Sequence, residues 1–295
     1  MKLGLGTVQF GLDYGITNRT GKPSLGEIRT ILAQATSAGI ETLDTAASYG
    51  DSESMLGMAL PRPHQFKIVT KTRVVDATLS TSATLDEIER GVFCSLERLA
   101  ENKLNGLLIH HVDNLLGPAG DPLFKRLDKL RAQGIVEKIG VSLYSPEEAQ
   151  AVNARFPLDL IQLPLNPFDQ RHVIQGSLQC LVASGIEIHV RSAFLQGLLL
   201  APEQPLPTKL AALAPFMKNW QAFLIQENLS PLAGCFSFLR SQMGISTVIC
   251  GATSAAEWME ILLAWASNPD IPSERFKKLA VEDVNLIDPR FWPNR

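Results

Sequence analysis

The sequence predicts an α/β chain of the (β/α)8, or TIM, barrel class. Three observations predict it. Eight short apolar runs alternate with helix-forming stretches, and no shift in composition divides them. The runs are continuously apolar, as parallel strands are when both faces are buried. Ionisable residues gather at the C-terminal ends of the second, third and fourth runs, the end of such a barrel where chemistry sits. An open doubly wound sheet lacks its fingerprint here. Gly4-Leu5-Gly6-Thr7-Val8-Gln9 does not complete G-x-G-x-x-G, and no P-loop is present.

The first strand falls at 3–8, and a glycine-rich loop at 9–23 carries Phe10 and Tyr14. Ser24 caps a helix whose apolar positions Ile28, Ile31, Leu32 and Ala35 keep helical spacing, and Gly39 stops it. The second strand is 40–44, followed by a helix over 52–60 capped by Asp51 or Ser52. The third is 66–71, and Thr84 or Asp86 opens its helix, with Ile88, Val92, Leu96 and Leu99 inward. The fourth is 104–110, with a helix at 121–133 ended by Gly134. The fifth is 139–142, after which Ser145 caps a helix with Pro146 at its first position. The sixth, 160–164, ends in Pro164, which suits a strand terminus better than a strand interior. A helix at 175–183 precedes the seventh strand, 186–191, and a proline-rich loop runs on to Pro207. Helices at 208–228 and 231–242 lead to the eighth strand, 247–251, and Ser254 caps a helix to 266. A tail at about 268–295, with a short helix from Ser273, closes a single domain spanning 1–295.

The 295 residues are 45% hydrophobic and 19% charged, which is ordinary for a globular chain. A net charge of −3 gives no electrostatic case for nucleic acid or an anionic membrane as partner. No apolar run approaches the roughly 20 residues of a membrane span, and Met1 to Gly6 lacks the pattern of a signal peptide. Cys94, Cys180, Cys235 and Cys250 lie far apart in apolar settings without metal spacing, so buried free thiols and a cytoplasmic location are expected, with no metal and with a structural disulfide as the alternative. Trp220, Trp258 and Trp265 read as packing between helices and barrel, and His64, His172 and His189 show no ligand spacing.

Asp44, Tyr49, Lys71 and His110 fall at three successive strand ends. Alone, each has a plain structural explanation; together around one barrel mouth they make a specific chemical set. Tyrosine, with a pKa of about 10, is a poor proton donor near neutrality unless a nearby ammonium stabilises its phenolate. Asp44 can keep Lys71 charged and oriented, and His110 can hydrogen-bond an oxygen beside the Tyr49 hydroxyl. The set would polarise a carbonyl and protonate the oxygen after hydride addition. None of these residues is a hydride donor, so a nicotinamide cofactor is required. Lys71 as a Schiff-base lysine of an unrelated barrel is the alternative that the four residues leave open.

These residues sit in motifs that resemble the aldo-keto reductase superfamily along nearly the whole chain. The motifs are Asp44-Thr45-Ala46 with Tyr49-Gly50 and Ser52-Glu53, then Leu56-Gly57 with Ala59-Leu60, Thr70-Lys71, Leu108-Ile109-His110 and Gly140-Val141-Ser142. Residues 161–166, 194–199 and 249–253 continue in the family's order. The resemblance implies a (β/α)8 barrel and NAD(P)(H)-dependent interconversion of carbonyl and alcohol, with Tyr49 as general acid/base, Lys71 and Asp44 tuning it, and His110 orienting the substrate. It also implies cofactor contacts: Thr7 and Asp44 near the nicotinamide ribose, Ser142 and Gln162 on the carboxamide, Ser192, Phe194 and Gly197 around the pyrophosphate, and Gly251 and Thr253 at the adenosine end.

Several positions depart from the family pattern. Leu143 stands where many members have Asn, Asn105 replaces a usual Asp, and Ile261 replaces an Asn that reads adenine. Arg191 stands where many members stack an aromatic residue under the nicotinamide. Glu257 stands near the 2′-phosphate position, where a carboxylate repels phosphate. Family habit favours NADP(H), with NAD(H) close behind. Phe10 and Tyr14 are expected to line the substrate pocket with Tyr49 and His110, and Phe291 and Trp292 are further candidates from the tail. Residues 6–15 resemble those of bacterial members that act on sugars or sugar nucleotides. The substrate is expected to be a small carbonyl compound or sugar. A family-like barrel serving as a cofactor-sensing subunit with little catalysis is the alternative function, and nothing in the sequence fixes an oligomeric state.

Overall fold

The computed structural model describes residues 1–75, 80–267 and 269–292. Its eight parallel strands close into a barrel in sequence order, β1 Lys2–Gly6, β2 Thr42–Asp44, β3 Lys67–Lys71, β4 Leu104–Ile109, β5 Val136–Ser142, β6 Leu160–Pro164, β7 Glu187–Arg191 and β8 Thr247–Gly251. Helices follow the strands and cover the outside. Side chains alternate across the barrel wall. Leu107 and Ile109 point into the large core beneath the helices, while Leu108 meets Val69 and Leu160 in a small separate cluster. Glycines make room inside. A Cβ on Gly140 would lie 2.6 Å from the Leu108 side chain, and one on Gly4 would lie 2.7 Å from Ile249.

The expected elements are present, with shifted edges. β2 is only three residues long, while β5 starts three residues earlier than expected, at Val136. The third helix begins at Thr81, where the Ser80 hydroxyl accepts from the Ala83 N–H; Thr84 and Asp86 are already inside it. Asp51 precedes the helix Ser52–Ala59 but makes no capping bond through its side chain. Ser145 forms a full capping box with Glu148, and Ser24 and Ser254 cap as expected. Pro164 does end its strand, opposite Arg191. The stretch at 208–228 divides into a 3-10 segment, Thr208–Leu213, and a helix, Ala214–Glu227. The tail's first residue, Asn268, and residues 293–295 lie outside the described residues.

The family-like motif residues around the second strand are mostly structural ties. The Ser52 hydroxyl donates to the Thr7 carbonyl at 2.7 Å and lies 3.1 Å from the Thr45 hydroxyl, joining β1 to β2. Glu53, 1% exposed, accepts from Thr70 at 2.6 Å and pairs with Arg98 at 2.7 Å, pinning its helix to β3 and to the next helix. Gly57 permits the close approach of those helices, since a Cβ there would sit 2.1 Å from the Arg98 carbonyl oxygen.

The cysteine expectation needs correction. All four are free, and Cys235 and Cys250 are buried, but Cys94 is half-buried and Cys180 is exposed on the helix Ser177–Ala183. An amphipathic helix has apolar neighbours in sequence on both faces, so neighbourhood alone does not fix burial. Trp220 and Trp258 are fully buried. Among the described residues no helix is long and apolar enough to cross a membrane, and no cluster of His, Cys, Asp or Glu could hold a metal ion.

Candidate active site

A cavity of about 600 Å³ opens at the C-terminal rim of the barrel. Asp44, Tyr49, His110, Ser142 and Arg191 are among its lining residues, as are Gly251, Thr253 and Glu257. Asp44 is the last residue of β2, and Lys71 the last of β3; both point inward. Lys71 is 1% exposed. Its ammonium donates to both Asp44 carboxylate oxygens, at 2.8 and 2.7 Å, and to the Thr45 carbonyl at 3.0 Å. Three hydrogens therefore have three acceptors, an arrangement that suits a held ammonium and not the free amine of a Schiff-base lysine. Gln162 donates its amide to Asp44 at 2.7 Å, and its own Oε1 is buried with no partner among the described residues.

Above this pair lies the phenol. The Lys71 ammonium is 4.8 Å from the centre of the Tyr49 ring. The His110 imidazole meets that ring edge to face at 6.0 Å between centres. Ser48, on the same loop as Tyr49, places its hydroxyl 3.1 Å from His110 Nδ1. The loop is braced from behind, because a Cβ at Gly11 would meet the Tyr49 carbonyl oxygen at 1.8 Å.

The electrostatics differ from the expectation that Lys71 lowers Tyr49. Burial first, and then the Asp44 carboxylate, push the Tyr49 phenol above tyrosine's ordinary range, while Arg191 pulls it back. The reason is the tight pairing of Lys71: its charge is nearly cancelled by Asp44, so desolvation of the phenolate wins. Burial also lowers Lys71 against the opposing pull of Asp44. Burial pushes His110 down to about 3, with Lys71 adding to the effect, so its imidazole is neutral at physiological pH. Tyr14 is pushed up to about 12, mainly by burial.

Of the expected cofactor residues, the structure brings Thr7, Asp44, Ser142, Arg191, Ser192, Phe194, Gly197, Gly251, Thr253 and Glu257 to the cavity wall, with Gln162 just beneath. Glu257 is not free. Its carboxylate accepts from the Thr253 N–H and hydroxyl, each at 2.7 Å. Tyr14 lines the cavity as expected, but Phe10 does not. Phe10 sits in the helical turn Val8–Gly11, which directs it into the main core, where it is 1% exposed. Phe291 is exposed and Trp292 buried, and neither lines the cavity. The tail reaches the site through Arg290 instead, whose guanidinium lies 3.6 Å from the Tyr144 ring centre. Tyr144 is a lining residue that sequence reasoning missed, although it shares the inward parity of Ser142 two residues earlier. Gln9, Arg19, Gln196 and Gln204 were also missed; the last belongs to the proline-rich loop after β7. They come from loops and single short helical turns, which are too brief to carry a periodic signal.

The fold is a closed barrel of eight parallel strands with a cavity at its C-terminal rim. The chain belongs to the aldo/keto reductase family, whose sequence model matches residues 2–280. It is 32% identical over 177 residues to the aldo-keto reductase YhdN of Bacillus subtilis, a match covering 57% of this chain and 51% of that protein. It is 30% identical over 132 residues to D-arabinose 1-dehydrogenase of Saccharomyces cerevisiae, covering 42% of this chain and 39% of the relative. The matches thus span about half of the first relative's length and less of the second's. Among solved structures, an aldo-keto reductase from Bacillus halodurans in its holo form superposes with a TM-score of 0.77 at 21% identity, covering 96% of this chain and 94% of that one. A glycerol dehydrogenase from Gluconobacter oxydans gives 0.70 at 22% identity, covering 99% and 93%. At these identities the structural likeness speaks for the fold.

Proposed function

We propose that the protein reduces an aldehyde or ketone, sugars included, to the alcohol, with NAD(P)H as cofactor and Tyr49 as general acid. The convergence of phenol, paired ammonium and neutral imidazole at one cavity carries this reading. The cavity residues fit a nicotinamide dinucleotide. The unpartnered Gln162 Oε1 can accept from a carboxamide N–H2, and Ser142 stands opposite Gln162 in the strand register. When bound, the reduced nicotinamide supplies the hydride that no side chain here can provide.

The protein's own part is proton delivery and orientation. A phenol held above its ordinary range stays protonated at neutral pH, the state a proton donor to the carbonyl oxygen needs. Neutral His110, with Nδ1 engaged by Ser48, can present Nε2–H to the same oxygen. The Lys71–Asp44 pair keeps the floor of the site polar but balanced, and Arg191 offers positive potential to the oxygen as it gains charge. The dinucleotide is NADP(H) by family habit. Glu257 weighs toward NAD(H), although its engagement by Thr253 softens that argument, and Arg19 lines the same cavity.

The test is a fluorescence titration with NADPH and NADH, followed by dinucleotide oxidation across a panel of aldehydes, ketones and sugars. Tight binding with carbonyl-dependent oxidation is expected. Failure to bind either dinucleotide, or binding without turnover across the panel, contradicts the reading.

A further inference from the structure

Three cations around the catalytic end of this barrel are each held by an acid. Lys71 is held by Asp44 at 2.7 Å, Arg290 by Asp288 at 2.7 Å, and Arg171 by Asp169 at 2.8 Å. Arg191 departs from this rule. Its polar contacts among the described residues are the Leu143 carbonyl oxygen at 3.0 Å and the Ser192 hydroxyl at 3.4 Å, both uncharged. It is half-buried at the end of β7 and lines the cavity.

The guanidinium is also held in place before any ligand arrives. Its Cζ lies 3.9 Å from the Tyr144 ring centre, and Arg290 covers the ring at 3.6 Å. Arg290 is itself fixed by Asp288, which is fully buried. Such a stack fixes the guanidinium without neutralising it, since a ring face attracts a cation but carries no net charge. The other charges at this end cancel: Lys71 against Asp44, with His110 neutral. Among the described residues, the Arg191 charge beside Tyr49 and His110 therefore has no acid to balance it, and it acts on both. A partly desolvated guanidinium with spare donors is an unfilled half of an ion pair, and its planar fork matches a carboxylate or phosphate.

We propose that Arg191 is the anion-recognition residue of the substrate subsite, so that the carbonyl compound preferred by this protein carries a carboxylate or phosphate group. The inference rests on the carbonyl-reductase reading above. Tyr144 and Arg290 are positioning residues that act through Arg191.

The experiment compares matched pairs of substrates on wild-type protein and on Arg191→Met and Arg191→Lys variants. Succinic semialdehyde against butanal reports on carboxylate, and glyceraldehyde 3-phosphate against glyceraldehyde reports on phosphate. In the wild type, kcat/KM favours the anionic member of at least one pair, and that pair identifies the anion. R191M lowers the anionic-to-neutral ratio roughly 10- to 100-fold, the worth of a charged hydrogen bond, and R191K restores part of it. A ratio unchanged by R191M in both pairs overturns the proposal. So does a loss confined to dinucleotide affinity, which would assign Arg191 to the cofactor's diphosphate. If no carbonyl compound is turned over, the function fails but this inference keeps a separate readout. Calorimetric titration of the dinucleotide-loaded protein with succinate and with inorganic phosphate should then show binding in wild type that R191M abolishes. Absence of such binding overturns it.

Discussion

Replacing Lys71 by methionine removes an ammonium that is 1% exposed and makes three hydrogen bonds, two to Asp44 and one to the Thr45 carbonyl. The hydrocarbon volume is nearly preserved, so the loss is electrostatic. Asp44, itself 4% exposed, keeps only the Gln162 amide among its side-chain donors. Breaking a buried pair by removing one partner costs about 3–5 kcal/mol, because the remaining charge is left uncompensated. For a chain of this size, at roughly 2 °C per kcal/mol, K71M should lower Tm by about 6–10 °C. Neutralising the other partner as well should restore part of this. D44N/K71M should melt above K71M by several degrees, since no buried charge is stranded. The assay is thermal unfolding of wild type, both single variants and the double variant by circular dichroism. A shift of less than about 2 °C for K71M, or a double variant that loses the sum of the single losses, refutes the reasoning.

Other outcomes follow from single contacts. Gly57→Ala forces a Cβ against the Arg98 carbonyl oxygen and should cost about 1–3 kcal/mol in denaturant unfolding, whereas an unchanged midpoint would mean the two helices can part freely. Thiol labelling of the native protein should modify Cys180 first and leave Cys235 and Cys250 unmodified until unfolding, because both are buried and burial raises their thiols; rapid labelling of Cys235 would contradict the packing. Burial holds His110 down to about 3 and His172 to about 4, so below pH 6.5 the unfolded chain takes up protons that the folded one does not. Stability should therefore fall as pH drops from 6.5 towards 4, with H172Q flattening the slope; stability constant over that window would rule out neutral burial of these rings. Gln162→Leu should weaken dinucleotide binding roughly 10-fold by fluorescence titration, since the carboxamide loses its acceptor. An unchanged Kd would remove Gln162 from the cofactor site.

The order of the strands and the four rim residues were legible because they are local signals. Short apolar runs ending in Asp44, Lys71 and just before His110 need no knowledge of distant contacts, and barrel closure then brings neighbouring ends together. Element edges were less legible. Ser80 competes with Thr84 as a cap, and only the hydrogen bond to Ala83 decides between them. Phe10 was misplaced because a single helical turn after β1 reverses which way it points. Arg290 and Arg19 were not legible at all, and Tyr144 only through its parity with Ser142. Their role depends on a loop and a tail far apart in sequence meeting at the rim, and Arg290 is covalently remote from every strand it serves. The same holds for Arg191: its residue type was visible, but its lack of an acid partner is a fact of the folded chain.

The account's central claim is that the Tyr49 hydroxyl gives the proton. The direct measurement is the single-turnover rate of carbonyl reduction by Tyr49→Phe protein loaded with the dinucleotide that binds tighter, alongside its affinity for that dinucleotide. The account predicts a rate about 10²- to 10⁴-fold below wild type with the affinity unchanged. A phenylalanine variant that reduces the carbonyl at the wild-type rate contradicts it.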